Sequence, residues 1–431
     1  MTGGSRDRLE HILARLAARP AAEPAFMTLY PDAARAAADE ADLRRRANSS
    51  RGPLDGTIVS IKDVFDLAGE PTLAGSVLLR NAPAATEDAL VVRRLRAAGA
   101  VILGKTHANE FCFTSDGINP HYGTPGNAAD TTRIPGGSSS GAGVSAAEGT
   151  SEIAIGTDTG GSVRIPAALN GVVGFKPTAR RVPRDGVFPL SPSLDSVGPL
   201  ARSVAACAHA DAVMAGETPA DIAPRPLAGL RIGLPPAILM AETDPLIAER
   251  FAASLDRLGR RGTRLIRCPV DDLLLAMRDL TRDASIASIE AAQIHAEWLR
   301  AGIGPVDPRT AETLRRRLDF PEPVHRAMLQ RRADLAAEMD RRLAGIDAFA
   351  APTVPIFAPE IGRVRSDAAF AGHVEDLLLR NNQIANQFDL TAISLPLSDL
   401  PLPAGLLLTA RPGQDRALLT LAASVERALA N

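Results

Sequence analysis

Polar and apolar positions alternate along this chain with two periods, and the order of those periods outlines the fold. Residues 6–18 and 32–48 place apolar side chains at helical spacing, which predicts two amphipathic helices. A β-branched stretch at 57–61 then predicts a buried strand that delivers Lys62 at its C-terminal end. A helix over 88–98, with Asp88 near its start and Gly99 at its stop, leads into the apolar strand 101–103. The serine-rich turn 136–141 opens a small-residue helix at 142–148, and strand 153–156 feeds a second glycine turn. A short helical piece follows Pro166, and Val172-Val173-Gly174-Phe175 returns to the sheet. Strand and helix alternate throughout this region, which predicts an α/β fold with a mixed, largely buried central sheet covered by helices on both faces.

Past residue 216 the composition shifts to Pro, Ala and Asp, so 216–228 reads as a surface crossing. A strand at 230–233 and a helix at 245–259 follow, then Arg-, Ala- and Glu-rich helices between about 270 and 343. Strand patterns return at 348–351, 391–395 and 405–409, with a terminal helix over 415–429. Because strands resume after the helical stretch, the reading is one domain over 1–431. Its core is about 54–200, it carries a helical elaboration over about 243–345, and its C-terminal strands rejoin the same sheet. No repeat of fixed period is present.

Composition narrows the class of partner. A formal charge of −2 over 431 residues and 3% aromatics give neither the basic footprint nor the stacking platforms of a nucleic-acid binder. The charged start (Arg6, Asp7, Arg8, Glu10) and the lack of a spanning apolar run predict a cytoplasmic protein with no membrane contact. Cys112, Cys207 and Cys268 are odd in number and widely spaced, so they read as buried free thiols. The seven histidines form no H-x-x-x-H pair, and no metal or cofactor is assigned.

Candidate chemistry starts from lysine. Of 48 basic residues only Lys62, Lys105 and Lys176 are lysines. Where arginine fills nearly every cationic position, a surviving lysine points to a compact charge or to an amine that can lose its proton. Two strings invite other readings. Gly99-Ala-Val-Ile-Leu-Gly104-Lys105-Thr106 fits a phosphate loop, but its middle is an apolar strand whose amides belong to a ladder. Gly137-Ser-Ser-Ser-Gly141 fits a nucleophile elbow with Ser139 as nucleophile. That fold needs a downstream acid and histidine, and the last histidine, His373, reads as a solvated surface residue.

Taken together, Pro135-Gly-Gly-Ser-Ser-Ser-Gly-Ala-Gly143, Gly156-Thr-Asp-Thr-Gly-Gly-Ser-Val-Arg-Ile-Pro-Ala167 and Gly171-Val-Val-Gly-Phe-Lys-Pro-Thr178 resemble the amidase signature family. The resemblance implies Ser162 as nucleophile, Ser138 as a bridging serine with a cis peptide, and Lys62 as base. Ser139 competes for the bridging role, and the serine-to-serine interval of the family favours Ser138. A serine hydroxyl needs an adjacent base, a lysine serves only while neutral, and burial away from water favours the neutral amine. The amides of Thr159, Gly160, Gly161 and Ser162 offer a concave donor set for a developing oxyanion. Lys105 and Lys176 read as structural, and Asp158 as shaping the loop. Arg164 reads as a supporting ion pair, or else as a contact for a substrate carboxylate. Cys112 falls where family members line the acyl pocket, the alternative being a small buried side chain.

The implied reaction is hydrolysis of a small carboxamide to carboxylate and ammonia through an acyl-serine intermediate, without cofactor. Stretch 184–195 looks most like the indoleacetamide and mandelamide hydrolase branch. The alternatives are a urea- or biuret-derived amide, a glutaminase subunit of a tRNA-dependent amidotransferase, and a non-enzymatic scaffold, which the joint retention of Lys62, Ser138 and Ser162 speaks against. A small-molecule amide is the expected partner, nucleic acid is not contacted directly, and a homodimer is the default oligomer.

Overall fold

A computed structural model describes residues 3–18, 25–302 and 304–430. Within them the strands are β1 (Phe26–Leu29), β2 (Ile58–Lys62), β3 (Val101–Thr106), β4 (Ile153–Asp158), β5 (Val173–Lys176), β6 (Ser196–Ala201), β7 (Arg231–Leu234), β8 (Arg264–Arg267), β9 (Ala348–Pro352), β10 (Thr391–Pro396) and β11 (Gly405–Ala410). All join one mixed sheet in the order β1-β3-β2-β4-β6-β5-β10-β11-β9-β7-β8. β3, β2 and β4 run parallel, β6, β5, β10, β11 and β9 follow by antiparallel pairing, and β9, β7 and β8 are again parallel.

Every residue of β2, β3 and β4 is buried, the polar Ser60, Lys62, Lys105, Thr157 and Asp158 included, as central strands covered on both faces require. All but the first two residues of the phosphate-loop string form strand β3, with Lys105 opposite Ile61 in the ladder. The sequence reading overlooked β6, because Gly198 and Pro199 break its propensity. Here the backbone dictates the residue: a β-carbon on Gly198 would stand 2.1 Å from the Phe175 carbonyl oxygen of β5. β1, β8 and the helix Ala368–Gln387 were also unread. Cys112, Cys207 and Cys268 are free and buried. No helix among the described residues is long and apolar enough to cross a membrane.

Candidate active site

β2 ends at Lys62, whose side chain is 0% exposed. Its Nζ donates to Ser138 Oγ at 2.8 Å and to Thr157 Oγ1, on the neighbouring strand β4, at 2.8 Å. Among the described residues no carboxylate lies in ion-pair range of that amine. Lys105, by contrast, faces Asp63 at 3.7 Å and Glu70 at 3.1 Å. Lys176 donates to the carbonyls of Pro177 and Leu390, each at 2.8 Å, and burial with nearby Arg164 pulls it down to about 8.

Ser138 follows a cis peptide after Gly137, where a β-carbon would stand 2.1 Å from Asn109 Oδ1. The three consecutive serines have three different partners. Ser139 Oγ donates to the Thr157 carbonyl at 3.2 Å, and Ser140 Oγ meets His107 Nδ1 at 2.8 Å. Only Ser138 faces the amine. Ser162 joins this group through its backbone, its carbonyl accepting the Ser139 N–H at 3.2 Å. The residue is 7% exposed, and among the described residues its hydroxyl makes no direct bond to Ser138.

The turn carrying Ser162 is organised by Asp158 at the end of β4. That carboxylate accepts the amides of Gly161 at 2.9 Å and Val163 at 3.1 Å, Arg164 Nε at 3.0 Å and Nη2 at 2.8 Å, and Asn386 Nδ2 at 3.0 Å. Burial works to raise its pKa, and the Arg164 guanidinium overrides this and holds it at about 2. Arg164 is itself 0% exposed and spends its remaining donors on Asn382 and Asn386, so it is an ion-pair residue with no face toward a ligand. Gly161, at φ +136°, has no room for a side chain, since a β-carbon would meet Asn382 Cβ at 2.5 Å. With the Gly161 N–H committed to Asp158, the amides of Thr159, Gly160 and Ser162 are those without an acceptor among the described residues.

Ser162, Thr159 and Gly160 line a cavity of about 810 Å³, together with Cys112, Phe113 and Ser115. Its far walls come from segments that sequence reading left without a role: Arg278 to Ala287, Arg309 to Arg316, and one face of helix Ala368–Gln387. Glu375 on that helix accepts the Ser115 N–H at 3.0 Å. Burial, with Asp116 nearby, pushes it up to about 7. Behind Cys112, Phe111 packs its ring 4.2 Å from that of His295 and 5.6 Å from that of Trp298, both in the helical elaboration. His373 is exposed and pairs with Glu242, far from any elbow role.

This chain resembles characterised proteins along nearly its whole length. It is 35% identical to a 2-amino-5-chloromuconic acid deaminase of Comamonas testosteroni, covering 93% of this chain and 88% of that one. It is also 35% identical to a glutamyl-tRNA(Gln) amidotransferase subunit of Anaeromyxobacter sp. (strain K), over 99% and 93%. The crystal structure of an amidase superposes with a TM-score of 0.85 at 31% identity, covering 99% of this chain and 96% of the other. The Amidase family model matches residues 7–419, and with these relatives it shows that the chain belongs to the amidase signature family and is a hydrolase of amide C–N bonds.

Proposed function

We propose that the chain hydrolyses a small carboxamide through an acyl-enzyme on Ser162, with Ser138 relaying protons to and from Lys62. The observation that carries this reading is the buried 2.8 Å contact between Lys62 Nζ and Ser138 Oγ, in a setting that offers the amine hydroxyl partners and no counter-ion. An amine so placed can exchange a proton with a hydroxyl, which a guanidinium cannot do. Ser162 Oγ attacks the carbonyl carbon, its proton passes to Ser138, and the proton of Ser138 passes to Lys62. The oxygen that gains charge is met by the amides of Thr159, Gly160 and Ser162; Gly161 shapes the turn instead of donating to the substrate. Return of the proton to the departing nitrogen releases ammonia, and water then cleaves the acyl-serine. A fluorophosphonate probe tests the assignment. One adduct per chain is expected on Ser162, lost in Ser162→Ala and much slowed in Lys62→Ala; undiminished labelling of Ser162→Ala overturns it.

A second reading, supported by the amidotransferase relative, is a glutaminase component that works only inside a complex. Ammonia release from free amides by the isolated chain argues for the first reading, and activity on glutamine that appears only with a partner argues for the second.

A further inference from the structure

We propose that Glu375 makes the site selective for amides whose acyl chain ends in a protonated amine. This deepens the amidase reading above and rests on it.

Position comes first. Helix Ala368–Gln387 passes over the turn that holds Ser162, close enough that a β-carbon on Gly160 would stand 3.1 Å from Leu379 Cδ2. Glu375 lies four residues earlier on the same cavity-facing stripe, about 6 Å along the axis. A chain bound as an acyl group on Ser162 and extending along this helix therefore brings its fifth or sixth atom to the carboxyl. Phe113 and Cys112 line the cavity and offer apolar surface for the methylenes between.

Charge comes second. Both oxygens of Glu375 accept the N–H of Ser115, whose hydroxyl is the other donor close by, although a carboxylate has about four acceptor sites. The cation that acts on the group is Arg309, which donates to Asp116 at 2.8 Å and to Asp307 at 3.2 Å. One guanidinium thus answers three carboxylates. The other charges on that wall, Glu312 and Arg316, neutralise each other. Asp376, the neighbour on the same helix, adds a further negative charge to the cavity lining. Ser115, 1% exposed and lining the cavity, turns its Oγ toward the Glu375 carboxyl and finds no other partner. The site therefore lacks a compact positive group with several donors. An ammonium has three, enough to meet Glu375 and the Ser115 hydroxyl together. On the opposite wall Arg282 is paired with Asp279, and exposed Arg278 is the rival element, one that would favour an anionic chain instead.

The test uses the full chain and three primary amides of matched length: δ-aminovaleramide with an ammonium end, hexanamide with a methyl end and adipamate with a carboxylate end. The expected kcat/KM for δ-aminovaleramide exceeds that for hexanamide by about tenfold or more at pH 8. That ratio falls severalfold at pH 6, because Glu375 titrates near 7 and the ammonium does not titrate in this range. Glu375→Gln, which keeps the acceptor for Ser115, is expected to bring the ratio within about threefold of one and to remove its pH dependence. The wild-type pH series stands as evidence on its own if the variant folds poorly. A wild-type ratio near one, a ratio that Glu375→Gln and pH leave unmoved, or a preference for adipamate overturns the proposal. Hydrolysis of hexanamide that is lost in Ser162→Ala reports on the underlying amidase reading, so failure of selectivity is distinguishable from failure of the chemistry.

Discussion

Asp195 Oδ1 accepts the hydroxyl of Thr159 at 2.5 Å, while its other oxygen takes the amides of Leu190 and Ser191, each at 3.0 Å. One carboxylate thus ties the amide-presenting turn to the loop that carries Leu190 and Leu194 into the cavity. That loop is anchored in turn to the helical elaboration, where buried Glu290 accepts the hydroxyls of Ser191 and Ser193, each at 2.5 Å.

The first prediction follows from this link. Thr159→Val keeps the shape of the side chain and removes only the hydroxyl, so the Thr159 amide loses its alignment. Removing a whole oxyanion donor costs about 10²–10³ in kcat, and loosening one is expected to cost about tenfold. KM should move little, and Thr159→Ser should restore the rate. A variant with lowered thermal stability and unchanged kcat would assign Asp195 a purely structural role.

Much of this was legible in the sequence because the determinants are local. β2 and β4 each open on an apolar run, and Lys62 and the turn holding Ser162 come at or just beyond their C-terminal ends, so both could be placed without tertiary information. The glycines needed at 137 and 161 mark places where backbone must pass against a neighbour. What could not be read depends on distant partners. Gly161 looks like an oxyanion donor until Asp158 is seen to take its N–H. Helix Ala368–Gln387 and residues 278–316 wall the cavity through contacts more than a hundred residues away in sequence from Ser162, and no local pattern marks Glu375.

The second prediction separates proton transfer from charge at residue 62. Lys62→Arg puts at this position a guanidinium that stays protonated and cannot take up a proton, and Lys62→Met removes the nitrogen altogether. If the role is acid–base, both variants lose about 10²–10⁴ in the rate of acyl-enzyme formation, within the usual worth of a positioned proton acceptor. If Lys62→Arg retained most of the activity, electrostatic stabilisation would replace proton relay as the role of this residue.

The third concerns the buried pair Asp158 and Arg164. Arg164→Leu leaves the Asp158 carboxylate buried without its counter-ion, which costs about 3–5 kcal/mol. In the wild-type protein the folded-state value of about 2 lies below the ordinary 3.8. The pair therefore contributes stability that is full above pH 3.8 and lost as pH falls toward 2. Urea unfolding across that window should show this acid-labile contribution in the wild type and its absence in the variant.

The fourth uses a group beside the serine loop. His107 Nε2 lies 2.9 Å from the Gly123 carbonyl and therefore carries the proton, leaving Nδ1 to accept from Ser140 Oγ at 2.8 Å. Burial lowers this histidine to about 4, and the Gly123 carbonyl opposes the shift without reversing it. Because the folded value lies below the unfolded 6.5, the folded state binds fewer protons between the two, and stability falls as pH drops from 6.5 toward 4. At about 1.4 kcal/mol per unit, the expected loss by pH 4.5 is about 2–3 kcal/mol. Asp63, Asp211 and Glu375, whose pKa values burial raises, change stability in the opposite sense over the same window, so the wild-type curve alone does not isolate the histidine. The informative quantity is the difference between wild type and His107→Gln, whose amide can still donate to Gly123 and does not titrate. The unfolding free energies of the pair, from urea curves at pH 7 and pH 4.5, should converge by that amount. Parallel changes in the two proteins would mean that His107 takes up its proton equally in the folded and unfolded states, and that the loop before Ser140 is insensitive to acid.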